Sequence, residues 1–212
     1  MVKTKTKVIV IGGGGHARVL IDAMDTAGGY KILGYTDMRS CTGIGIPYLG
    51  TDEAILKHSP RKVMLANGLG SVDRPLKRRQ VYVHFRKLGY CFASVIHPSA
   101  AVSPRSSLAQ GVQIMAMAVV NTGTRVGENV LINTSASIDH DCVIGEHAHA
   151  APGVVLSGGV HIGACAHVAT GAKIIQGIRV GSEALVGAGA VVVHDVPAKV
   201  KVFGVPARRK GK

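Results

Sequence analysis

The chain has 212 residues, 47% of them hydrophobic, with 25 Lys and Arg against 12 Asp and Glu and a net charge of +13. That length allows one large domain or two small ones with a real core. The charge suggests nucleic acid until it is divided along the chain: residues 1–95 carry 15 Lys/Arg against 6 Asp/Glu, residues 96–196 carry 4 against 6, and residues 197–212 carry 6 against none. With no Trp and 4% aromatics in all, the basic residues lack the stacking partners of a single-strand groove, so nucleic acid is excluded as a partner.

In chain order, Lys7–Ile11 is a short β-branched run that ends in four glycines, and HARVLIDAMDTAG behind it has helical spacing. Gly12, Gly14 and Ala17 fit the G-x-G-x-x-G/A pattern of a phosphate turn, and Asp37 closes the next strand, KILGYTD, where a ribose-binding acid is expected. After a turn segment around Ile46–Leu49, Thr51 caps a short helix to about His58. Lys62–Ala66 is the third parallel strand, with Asn67-Gly68 as the turn at its end. Val72–Leu88 reads as a long basic helix, and FASVIH leads out of it. Residues 1–95 are therefore an α/β half-Rossmann-like domain, sized for one nucleotide. Its ligand belongs at the carboxyl ends of the strands, near Gly13, Gly14, His16, Asp37 and Asn67, with phosphates at helix N-termini. A dinucleotide-dependent enzyme fails on size, because the second mononucleotide half is missing.

From Ile96 onward an aliphatic or alanine residue returns at every sixth position, through Val102, Leu108 and Ile114 to Val186 and Val192, and a small or branched one follows four residues behind each. A period of six suits neither helix nor simple strand and signals a parallel β-helix, each coil built of three hexads. The inward residues form the core, the small ones fill the corners, and glycines such as Gly127, Gly145, Gly163, Gly181 and Gly187 are expected where the backbone turns. Residues 96–196 form this domain, and 197–212 are a basic tail. Four cysteines without CxxC spacing, and no leading apolar segment, predict a reduced, soluble, cytoplasmic protein with no membrane insertion.

Polar residues gather in NTSASIDHDCVIGEHAHAAPGVVLSGG. His140 lies two positions after an inward residue, so it faces out at a corner, and Asp141 beside it can orient and polarise the imidazole, the usual proton shuttle near neutral pH. Asn133, Asp139, His147 and His149 are near in sequence. Cys142 occupies the inward corner register and is structural. His149 and His167, like His147 and Cys165, are 18 apart and must stack, which keeps a zinc site open as a competitor. A non-catalytic scaffold would leave this polar cluster without a purpose.

INTSASIDHDCVIGEHAHAAPGVVLSGGVHIG, with IGGGGHARV in front and GVPAR behind, resembles the NeuD/PglD-type sugar acetyltransferases, from Lys7 to about Arg208. The resemblance implies a left-handed coil, a homotrimer, and acetyl-CoA between neighbouring solenoids. It also implies His140 as general base with Asp141 as its acid, and Asn133, His149 and Gly158 at the acetyl-CoA site, Gly158 offering its N–H to the acetyl carbonyl. Gly13, Gly14, His16, Asp37 and Asn67 would hold the sugar nucleotide. The expected reaction is N-acetylation of a UDP- or GDP-linked 4-amino-4,6-dideoxy sugar without metal. O-acetylation of sialic acid or a related sugar is the alternative, and a zinc enzyme like the gamma-type carbonic anhydrases a weaker one. NGLGSVDRP departs from the family's shorter turn, which leaves base and sugar open.

Overall fold

The computed structural model describes residues 5–71 and 75–209. Four parallel strands come first: β1 (Thr6–Ile11), β2 (Tyr30–Thr36), β3 (Tyr48–Gly50) and β4 (Met64–Asn67), in the order β3-β2-β1-β4. Helix α1 (Gly15–Ala27) starts straight from the glycine turn, with Gly14 as its N-cap and Gly28 ending it in the left-handed region at φ 75°. The helix after β3 is a 3₁₀ turn over Asp52–Lys57 with Thr51 at its N-cap position. The basic helix α2 covers Leu76–Lys87 with Pro75 before it, later than the expected Val72; Val72–Arg74 lie outside the described residues. Proline suits that boundary, since it needs no hydrogen bond from its nitrogen.

From Val95 the chain winds into a left-handed parallel β-helix of two-residue strands. Leu131 pairs with His149 and His149 with His167, so one coil is 18 residues. Three faces result. Face I presents Val95, Gln113, Leu131, His149, His167 and Leu185 outward; face II presents Ala101, Val119, Ser137, Val155, Lys173 and Val191; face III presents Ser107, Arg125, Val143, His161 and Arg179. The second residue of each strand points inward, and Ile114, Ile132, Ile138, Leu156, Val168 and Val186 make one aliphatic core with Ala118, Ala136, Cys142 and Ala166 at its corners.

The glycines divide the corners differently from the sequence expectation. The left-handed corner residues include Ser135, Asp141 and His147, at φ 56°, 57° and 59°. Gly145 is instead a close approach: a Cβ there would stand 2.6 Å from the backbone nitrogen of Ala164 on the next coil. Stacking, rather than turning, requires glycine at that position. The C-terminal residues extend face I: Lys201–Phe203 pairs with the Leu185 strand and turns back antiparallel to Arg208–Arg209.

The front domain sits on face I. Met115 and Leu131 of the solenoid pack into the same core as Leu20, Ala23, Met24 and Tyr35. The prism's opposite edge, where faces II and III meet, is left uncovered, and it carries His140.

Candidate active site

At that edge His140 and Asp141 stand with side chains 49% and 71% exposed. The coil fixes their backbone: the N–H of His140 donates to Asp139 Oδ1 (2.7 Å), and its carbonyl accepts from Gly159 N–H on the next coil (2.9 Å). His140 Nδ1 is 2.9 Å from Asp141 Oδ2. A carboxylate only accepts, so the hydrogen is on Nδ1 and the Nε2 lone pair is free. The hydrogen bond to Asp141, opposed by desolvation and helped by the charges of Asp139 and Asp141, raises the imidazole above its usual pKa of 6.5.

Two glycines make the bed for this pair. A Cβ on Gly158 would lie 2.5 Å from both Cε1 and Nε2 of His140, and one on Gly123 would collide with the Asp141 carboxylate. Gly158 has a second property. On the two preceding coils the equivalent backbone N–H groups, of Thr122 and His140, are taken by Asn121 Oδ1 and Asp139 Oδ1. Ser157 takes the place of those acceptors, and among the described residues the N–H of Gly158 has no partner.

Asn133 and His149 do not join His140. Nine residues separate His140 from His149, half of an 18-residue coil, so they face opposite sides of the prism. His149 is 5% exposed under the front domain, with Nδ1 2.7 Å from Ser71 Oγ and Nε2 3.2 Å from Asn133 Nδ2. Asn133 Oδ1 accepts from Thr134 N–H, which turns its amide group toward the ring. Both nitrogens of His149 are thereby engaged, and burial, with the charges of His167 and Arg78, depresses its pKa well below 6.5. The rings of His149 and His167 meet edge-on at 4.8 Å, as the period requires. With both its nitrogens committed, His149 has no lone pair to offer a metal, and no cluster of three ligating side chains occurs among the described residues.

The nucleotide residues also divide. A cavity of about 410 Å³ opens at the carboxyl ends of β1, β2 and β4, between Gly12, Asp37, Asp52, Glu53, Leu69 and Lys77. This is the crevice where the strand order reverses, the usual ligand position in such sheets. Asp37 lines it while accepting from the N–H groups of Gly13 and Met38, both at 2.7 Å. Gly13 is packed against Cys41 Sγ and the Tyr35 ring, whereas Gly14 and Gly15 face open space. Asn67 departs from its expected place. It is buried, donating to Arg78 O and Asn129 Oδ1 and accepting from Leu69 N–H. His16 likewise turns toward the solenoid, 2.8 Å from Gln113 Oε1.

Sequence reasoning missed the centre of this interface, Arg78. Its guanidinium is 1% exposed and donates to Asn67 O (2.7 Å) and Leu69 O (2.9 Å); among the described residues Nε and Nη2 find no partner, and burial draws its pKa down to about 9. Nothing in the sequence separates Arg78 from Lys77 and Arg79 beside it. Gln113 had a signal, since it shares the 18-residue column of Leu131, His149 and His167.

The comparisons agree with this architecture. The family model described as the PglD N-terminal domain matches residues 7–83. The structure of PerB from Caulobacter crescentus with CoA and GDP-perosamine is 37% identical over 97% of both chains, with a TM-score of 0.90. The chain belongs to the NeuD/PglD-type sugar acetyltransferases. It is an acyltransferase. The acetyltransferase domain of PglB from Neisseria gonorrhoeae, solved with acetyl coenzyme A, is 36% identical over 98% of this chain and 100% of that one, at a TM-score of 0.91. WeeI from Acinetobacter baumannii, at 24% identity and a TM-score of 0.84, covering 97% of this chain and 100% of its own, shares the fold. Among the described residues no helix is long and apolar enough to cross a membrane.

Proposed function

We propose that this acetyltransferase moves the acetyl group of acetyl-CoA to the amino group of a nucleoside-diphosphate-linked amino sugar, with His140 as general base. The observation that carries the reading is the free Nε2 lone pair of His140, its tautomer set by Asp141, beside the unpartnered N–H of Gly158. The sugar amine attacks the thioester carbonyl as His140 Nε2 removes its proton. A C–N bond forms, the C–S bond breaks, and the proton passes from the imidazolium to the CoA thiolate. Gly158 N–H donates to the oxyanion between those events. Cys142 takes no part, being wholly buried with its Sγ 3.3 Å from Ser157 O.

The two half-sites lie on opposite sides of one prism, the nucleotide cavity over face I and His140 at the edge between faces II and III. One sugar nucleotide can reach both only if they belong to different chains, and the family resemblance makes that assembly a homotrimer. Face II supports this, with Ala101, Val119, Val155 and Val191 in its outward row where face III has Arg125, His161 and Arg179. On this reading Asn133 and His149 stiffen the wall that a neighbour's His140 faces, alongside its acetyl-CoA. The relative with GDP-perosamine makes a GDP-linked 4-amino-4,6-dideoxy sugar the first acceptor to test.

Thiol release from acetyl-CoA is measured against a panel of UDP- and GDP-linked amino sugars, and light scattering gives the mass. Release with one of these sugars by a trimer is expected. Silence with the whole panel, or full activity from a monomer, refutes the reading.

A further inference from the structure

Gln113 is a fully buried solenoid side chain that holds two groups of the front domain at once. Its Nε2 donates to the backbone oxygen of Asn67 at 2.9 Å, and its Oε1 is 2.8 Å from His16 Nε2. The Asn67 oxygen can only accept, so the amide nitrogen must be the end that faces it. The end left for His16 is an amide oxygen, which also can only accept. The hydrogen of the His16 ring is therefore on Nε2.

A second proton on that ring is opposed from several sides. Burial acts most strongly, and the Arg78 charge from α2 adds to it, bringing the His16 pKa down to about 4 despite the hydrogen bond to Gln113. His149, also near this ring, would repel it in the same way if charged. Nδ1 is left as a bare acceptor. It has no hydrogen bond among the described residues and is not wholly closed off from solvent.

We propose that Gln113 is a positioning residue that locks His16 in its Nε2–H form, so that Nδ1 accepts a hydrogen bond from a hydroxyl or amino group of the sugar nucleotide. This rests on the nucleotide-sugar reading above. It divides the labour of the GGGGH turn. Phosphate oxygens are acceptors and take the backbone N–H groups at the start of α1, where Gly14 and Gly15 are open. His16 reads a donor on the ribose or the sugar.

Long-range nitrogen–proton correlation spectra of the full-length, histidine-labelled enzyme test the tautomer without turnover, with His16 assigned by the loss of its signals in His16→Gln. The expected result is a pyridine-like Nδ1, a pyrrole-like Nε2, and no titration near the ordinary midpoint of 6.5. A hydrogen on Nδ1, or a midpoint near 6.5, overturns the proposal. In kinetics Gln113→Met should raise KM for the sugar nucleotide roughly five- to tenfold, as loss of one oriented hydrogen bond implies, with KM for acetyl-CoA and kcat nearly unchanged. His16→Gln, which keeps an acceptor, should bind the sugar nucleotide better than His16→Leu. Equal KM changes for both substrates, or Leu as good as Gln, overturn the role while leaving the acetyltransferase reading intact; only silence across the sugar panel defeats that reading.

Discussion

The edge that carries His140 and the face that carries His149 are half a coil apart, and they treat the same side chain in opposite ways. At the edge the imidazole is exposed, bonded on one nitrogen to a carboxylate, and held above its ordinary pKa. On face I the imidazole is buried, bonded on both nitrogens to neutral groups, and held well below it. The first arrangement leaves a lone pair that can take a proton during a reaction; the second leaves none. A polar cluster that looks single in sequence is thus one exposed corner with a lone pair to offer and one buried seam with none.

The largest effect should come from His140→Ala. A positioned general base contributes roughly 10²- to 10⁴-fold, so kcat should fall by about that factor while the fold and both substrate affinities persist. If the folded variant keeps more than about a tenth of normal kcat, the base lies elsewhere. His149 could not replace it without first breaking its bonds to Ser71 and Asn133.

Gly158→Ala comes next. The added methyl would start 2.5 Å from His140 Cε1 and Nε2, so the ring must leave its place against that corner. Since misplacement of about 1 Å can cost near 10²-fold, kcat should drop by roughly 10- to 100-fold with thermal stability nearly unchanged. Circular dichroism melting and steady-state rates together check it; normal kcat would mean that the ring does not act from this position.

The seam should respond to acid where the corner does not. His16, His149 and His147, whose ring meets that of Tyr82 on α2 edge-on at 5.4 Å, all have folded pKa values below the unfolded 6.5. The unfolded chain therefore binds more protons than the folded one below that pH, and stability is lost as pH falls from about 6.5 toward the folded value near 4 of His16. The loss should be on the order of 3 kcal/mol from His16 alone, with His147 and His149 adding to it, read as a falling midpoint in urea titrations across that window. A flat profile from pH 7 to about 4.5 would mean that these rings are not held neutral by the interface.

Much of this was legible in the sequence because the solenoid repeats without a slip: Ile96 to Val192 fixes which residues face inward, and His140-Asp141 follows as an outward corner pair. The βα turn at Gly12–Gly15 was equally plain. What escaped was the modulus. Residues 133 and 149 lie near 140 along the chain, but position within an 18-residue coil, rather than sequence distance, decides which face they share. The interdomain partners escaped for another reason. Nothing local distinguishes the buried Arg78 from its exposed neighbours, because its burial is decided by Asn67, Leu69 and the face it covers.

The smallest and most discriminating effect concerns Asp141→Asn. The base must be unprotonated to act, so the acidic limb of the pH–rate profile reports the His140 pKa. Asp141 raises that pKa chiefly through its hydrogen bond, and Asp139 adds a charge that remains in the variant. An amide at position 141 removes the negative charge and the carboxylate acceptor, so the limb should move toward lower pH, by less than about one unit because the pair is exposed and solvent screens it. At neutral pH kcat should fall several-fold at most, since Nδ1 can still donate to the amide oxygen and keep the tautomer. Asp139→Asn should shift the limb in the same direction by less. A limb that stays in place, or moves upward, would mean that His140 and Asp141 do not act as a pair, and the corner would lose its distinction from the seam.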